Sequence, residues 1–100
     1  MKLQVTYPFL GIGRTVNESI VEIVTTTFFP EGKAVVQLLW RDEDGAQYIP
    51  LRSPNGIQVG VFLAAIEIDL QMDDVTNDLL FQAVADAIMN QVPTAIVNII

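Results

Sequence analysis

The sequence predicts an α+β domain: an antiparallel meander of about five strands, folded as two packed sheets or a small barrel, with one C-terminal helix and a short final strand. Three features carry this expectation. Polar and apolar residues alternate with a period of two over residues 2–7 and 66–72, the mark of half-buried strands. Asp44-Gly45 and Asn55-Gly56 sit between apolar runs, where such pairs turn one strand into the next. After Asp73 the apolar period lengthens to that of a helix, and Pro93 ends it. A chain of 100 residues has the size of one ordinary domain, so residues 1–100 are expected to fold as one.

At the N-terminus Leu3, Val5 and Tyr7 alternate with Lys2, Gln4 and Thr6, and Pro8, Gly11 and Gly13 break the strand. Residues 15–29 admit two readings. Thr15 and Glu18 have capping-box spacing, and Val16, Ile20, Ile23 and Val24 share one helical face. The same stretch is dominated by Val, Ile and Thr, whose branched side chains fit a strand better. A strand over 19–29 is therefore expected, with helix as the rival. Pro30-Glu31-Gly32-Lys33 is a turn, and residues 34–41 form the next strand.

A two-residue hairpin centred on Asp44-Gly45 sets Trp40 opposite Ile49 in the core and Arg41 over Tyr48 as an exposed cation–π pair. Residues 46–52 are then the return strand, with Pro50 at an edge or bulge. Ser53-Pro54-Asn55-Gly56 leads into a strand from Ile57, apolar to Ile66 except for Gln58 and so covered on both faces. A bulge near Ala64-Ala65 is expected to pass this strand from one sheet to another. Asp73 or Asp74 caps a helix running to Gln91, and residues 95–100 form the last strand.

Composition narrows the chemistry. The chain has no Cys and no His, which removes disulfides, thiol nucleophiles, Ser-His-Asp triads and ordinary zinc sites. Twelve acids against five bases leave a net charge of −7, and no base follows Arg52. The half carrying Glu67, Asp69, Asp73, Asp74, Asp78 and Asp86 would be repelled by nucleic acid. No apolar run approaches the ~20 residues of a membrane helix, and the N-terminus lacks the apolar block of a signal peptide.

Each candidate motif has a plain structural explanation. Gly11-Ile12-Gly13 lacks the third glycine of a dinucleotide fingerprint, where Val16 stands; it reads as a turn. Asp42-Glu43-Asp44-Gly45 has the look of a calcium-loop fragment. With Gly45 at the sixth position, however, the first and twelfth fall on Trp40 and Leu51, which leaves a solvated hairpin tip. Glu67 and Asp69, followed by Asp73, Asp74 and Asp78, could serve glycoside hydrolysis or a divalent ion only across a cleft. A wet strand face and an acidic helix start account for them. Trp40, Tyr48, Phe62 and Phe81 have periods that fill cores more often than ligand pockets. No catalytic, cofactor-binding or metal-ligating residue is assigned, and a non-enzymatic protein without cofactor is expected.

The apolar content supplies the functional expectation. Leaving out the two tyrosines, hydrophobic residues and glycine together make up 55% of the chain, against about 45–50% in ordinary soluble domains. On a helix Ala83, Ala87, Leu80, Val84, Ile88, Phe81, Val92 and Ala85 span an arc of roughly 200°, where a surface helix needs little more than about 100°. One sheet covers one side of a helix, so Phe81, Ala85, Met89 and Val92, with Ile96, Ile99 and Ile100, are the expected interface. The expected function is structural or assembly work, as a homo-oligomer or a subunit of a larger complex. Its partners would be copies of itself or other protein subunits, and neither nucleic acid nor membrane. An acidic inhibitor or nucleic-acid mimic that blocks a basic protein surface, and a small-molecule-binding barrel, are the alternatives. A small acidic chain free of Cys and His has the texture of many phage virion or accessory proteins, without a motif to carry the likeness. The expected location is the cytoplasm or a virion.

Overall fold

A computed structural model describes the backbone of residues 1–100 and every side chain except those of Val61 and Asp74. In chain order the elements are β1 (Leu3–Gly11), β2 (Arg14–Phe29), β3 (Lys33–Arg41), the short helix α1 (Gly60–Ala64), β4 (Ala65–Asp69), a 3-10 turn (Met72–Asp74), the helix α2 (Asn77–Gln91) and β5 (Ile96–Ile99). The strands form one antiparallel sheet in the order β4-β3-β2-β1-β5. The expected split into two packed sheets is thus replaced by one sheet.

The long strand β2 is the centre of this sheet. Its β-branched residues prevail over the helical reading because both of its edges are occupied, by β1 and by β3, and branched side chains pack well on a pleated surface. Two bulges bend the sheet. In β1, Tyr7 and Pro8 together oppose Asn17, because the register passes from Thr6↔Glu18 to Phe9↔Val16; Pro8, which has no N–H to give, is tolerated at such a site. In β2 the register skips Val24, between Ile23↔Leu38 and Thr25↔Gln37. Bulges increase the local twist and bend the strand that carries them.

The consequence is a curled sheet. Helix α2 touches both β4 and β5, the two opposite edges of the sheet, so the sheet wraps around it as a half-barrel. Leu3, Val5, Val21, Val36 and Trp40 from the sheet meet Leu63 from α1 and Phe81, Val84, Ala85 and Ile88 from α2 in one core. Trp40 stands edge-on to Phe9 at 5.4 Å between centroids, a favourable aromatic geometry. Its indole Nε1 donates to the Leu63 carbonyl at 2.9 Å.

Several local expectations are corrected. Residues 57–66 are not one strand: Val59, the N-cap of α1, and Leu63 within it are both buried, and the chain passes from helix to strand at Ala64-Ala65 without a bulge. Gly60 permits this packing, since a Cβ there would lie 3.1 Å from the Pro50 carbonyl oxygen. The Asp44-Gly45 hairpin is a three-residue loop, with Asp42 N–H donating to Ala46 O and Gly45 at φ +84°, a known alternative to the two-residue turn. That shifts the register by one: Arg41 bridges Gln47, Tyr48 N–H donates to Trp40 O, and Ile49 is 58% exposed. Arg41 lies on Glu22 and the Gly45 carbonyl and makes no stack with Tyr48, and the return strand shrinks to isolated bridges. Finally, α2 begins at Asn77, capped by the Thr76 hydroxyl, which accepts from Leu79 N–H at 3.2 Å. Asp73 and Asp74 belong to the preceding 3-10 turn.

Candidate interaction surface

The curl determines which of the expected interface residues are free. Phe81, Ala85 and Val92 are buried in the chain's own core, Met89 is half-buried, and Ile96, Ile99 and Ile100 are exposed. The inward placement of the first three has a simple cause. A flat sheet covers one side of a helix, whereas this one brings both of its edges to α2 and so covers most of the apolar arc.

Strand β5 is an edge strand, paired with β1 on one side and touched by α2. Lys2 and Ile100 exchange a mutual pair of backbone hydrogen bonds at 3.0 and 2.9 Å, which sets the phase of the ladder. Ile96, Asn98 and Ile100 therefore direct their backbone groups to β1, while Val97 and Ile99 direct theirs to the open edge. Val97 and Ile99 oppose the buried Val5 and Leu3, so their side chains share the concave face with α2. Ile96, Asn98 and Ile100 stand on the convex face.

A second apolar region lies around residues 46–64, and the sequence reading missed most of it. Ile49, Leu51, Ile57 and Phe62 are 58%, 38%, 60% and 56% exposed. Two open depressions of about 340 and 740 Å³ share Ile49 and Ala64; Trp40, Tyr48 and Pro50 line the first, and Leu51, Arg52 and Phe62 the second. The available signal was the pair Pro50 and Pro54, which a regular hairpin does not readily host. Of the four aromatics considered from the sequence, Trp40 and Phe81 are core, Tyr48 is half-buried and Phe62 is exposed.

This irregular segment is pinned to the sheet by polar contacts. Leu10 exchanges backbone hydrogen bonds with Arg52, at 2.8 and 3.2 Å, and accepts from Leu51 N–H at 2.9 Å. Asp42, only 3% exposed, accepts from Arg14 and from the N–H groups of Asp44 and Ala46. Glu43 accepts from Asn17 N–H at 2.9 Å, and the Tyr48 and Ser19 hydroxyls share a hydrogen bond. The tip expected to be merely solvated is thus organised around a buried carboxylate.

The two titrating groups of this staple bound the stability of the fold in pH. The Arg14 guanidinium, helped by the Ala46 and Asp44 N–H groups and opposed by burial, holds the Asp42 carboxyl below its usual range. Burial pushes the Tyr48 phenol up to about 12. A lowered carboxyl stabilises the fold above its unfolded pKa, and that contribution disappears as pH falls through the folded value. A raised phenol stabilises below about pH 10, and that contribution disappears as pH rises toward about 12. The urea midpoint is therefore expected to fall in both windows. Asp42→Asn should flatten the acid limb in part, because Glu22, lowered by Lys2 and Arg41, retains its share. Tyr48→Phe should flatten the alkaline limb in part, because Lys33, raised by Asp69 and Glu67, retains its share.

The remaining motifs resolve as local structure. Gly11-Ile12-Gly13 is the β1–β2 turn, with Gly13 at φ +74°. Glu67 and Asp69 lie on the convex face, where Lys33 bridges both at 3.4 and 2.9 Å. Among the described residues no three acids converge as a metal site, and no helix is long and apolar enough to cross a membrane. Comparison with protein-family models, with curated proteins and with solved structures finds no match for the chain.

Proposed function

We propose that this chain is a non-enzymatic structural or assembly protein, working as a homo-oligomer or as a subunit of a larger complex, in the manner of a virion or accessory component. The supporting observation is the amount of apolar side chain at the surface: Ile49, Leu51, Ile57 and Phe62 on one region, and Ile96, Ile99 and Ile100 on another. Contiguous apolar patches on soluble proteins usually mark contact sites. The hollow of the curled sheet is filled by Phe81, Val84, Ala85 and Ile88 of α2, so the apolar surplus lies outside the half-barrel rather than around a ligand-sized interior.

Size exclusion coupled to light scattering tests this reading across a concentration series, at about 0.15 M and about 1 M salt. The expected result is a mass above the 11.0 kDa of one chain, rising with concentration and not reduced by salt. A monomer that binds a basic protein and loses it at high salt would replace assembly with the acidic-inhibitor reading. Thermal stabilisation by a small ligand would favour the binding-protein reading.

A further inference from the structure

We infer that β5 is the contact strand of a two-fold dimer, pairing antiparallel with β5 of a second copy about an axis at Asn98 and joining two five-stranded sheets into one. This rests on the assembly reading above and names its surface and partner.

Three observations select the partner. The outward backbone groups of β5 belong to Val97 and Ile99, as the Lys2–Ile100 hydrogen-bond pair dictates. In an antiparallel pair centred on Asn98, Val97 meets Ile99 of the second copy and exchanges both backbone bonds with it, and the symmetric pair does the same.

The sequence Ile96-Val97-Asn98-Ile99-Ile100 is nearly a palindrome about that centre. Ile96 faces Ile100, Val97 faces Ile99, and Asn98 faces itself. Centring one residue earlier or later sets Asn98 against Ile96 or Ile100. Only the Asn98 register matches apolar with apolar and polar with polar, as an isologous contact requires.

Charge is the third observation. The chain carries −7, yet residues 95–100 hold no ionisable side chain, so no side-chain charges oppose each other where two copies meet. The other sheet edge, β4, bears Glu67 and Asp69 within five residues, the kind of charged edge that discourages pairing. Among the described residues, nothing hydrogen-bonds to the outer side of β5.

Engineered thiols in the full-length chain, which has no cysteine of its own, read this register directly. In the Asn98-centred pair the two Asn98 residues form a non-hydrogen-bonded pair with Cα atoms about 4.5 Å apart, within disulfide reach. The two Ile96 residues, on the same face, are then about 13 Å apart. Asn98→Cys is expected to form disulfide-linked dimers at least about tenfold faster than Ile96→Cys under the same mild oxidant. Asn98→Lys, on the exposed convex face, places two like charges opposite each other, and its dimer constant should weaken by about fivefold in sedimentation equilibrium. Equal crosslinking of the two cysteine variants would overturn the β5 dimer. So would an Asn98→Lys variant that associates as the wild type does, while leaving assembly through another surface standing. A wild-type chain that stays monomeric across the concentration series would sink self-association altogether.

Discussion

Replacing Trp40 by alanine is expected to lower the unfolding free energy by about 3–5 kcal/mol. Trp40 is 3% exposed, stands edge-on to Phe9 and ties β3 to α1 through its bond to the Leu63 carbonyl. Its loss would leave a cavity between the sheet and α1 and strip a buried acceptor of its partner. Because it is the only tryptophan, the measurement is urea unfolding followed by far-UV circular dichroism. Trp40→Phe separates the two effects: most of the volume remains, the hydrogen bond does not, and a smaller loss of about 1–3 kcal/mol is expected. A loss below about 1 kcal/mol for the alanine variant would contradict the placement of the indole in a close-packed core.

Placing aspartate at Ile88 should have the larger effect still and abolish the cooperative fold at neutral pH. Ile88 is fully buried on α2, the helix that both sheet edges touch. The substitution loses the packing of a buried isoleucine, worth about 2–5 kcal/mol, and adds the cost of an unpaired buried carboxylate, several kcal/mol more. Together these rival the whole stability of a typical domain, about 5–15 kcal/mol. Loss of near-ultraviolet dichroism and collapse of amide dispersion in nuclear magnetic resonance spectra are the expected readings. Asp78→Asn, on the exposed first turn of the same helix, serves as the control and should remain folded. A folded, stable Ile88→Asp protein would show that the sheet does not wrap the helix.

The β3–β4 region shows where residue patterns suffice and where they fail. The alternation that runs over 66–72 overlaps β4 at Ala65–Asp69, because a half-buried strand and a period of two are the same physical statement. Residues 57–66 failed for the converse reason: a continuous apolar run carries no period, and strand and buried helix share it. The Gly45 loop is one residue longer than the two-residue turn its Asp-Gly pair allows, and that single residue moved Ile49 from the expected core to the surface. The carboxylate of Asp42 was visible as a charge, but its burial depends on Arg14, 28 positions away, and local pattern does not reach that far.

Local pattern in the sequence anticipates a mostly antiparallel sheet built in part from 34–41 and 66–69, and a helix before the last strand, but not the loss of strands at 46–52 and 57–64. The anticipated elements follow from local periodicity and turn residues. Tertiary structure alone decided where the apolar surplus lies. Bulges at Tyr7-Pro8 and at Val24 bend one sheet until both edges reach α2, so the helix face at Phe81, Ala85 and Val92 is sealed within the chain. Among the apolar residues that no second layer covers are the isoleucines of the β5 segment, and Ile49, Leu51 and Phe62. Curvature is a property of the whole sheet, set by how distant strands pair, and no window of neighbouring residues contains it.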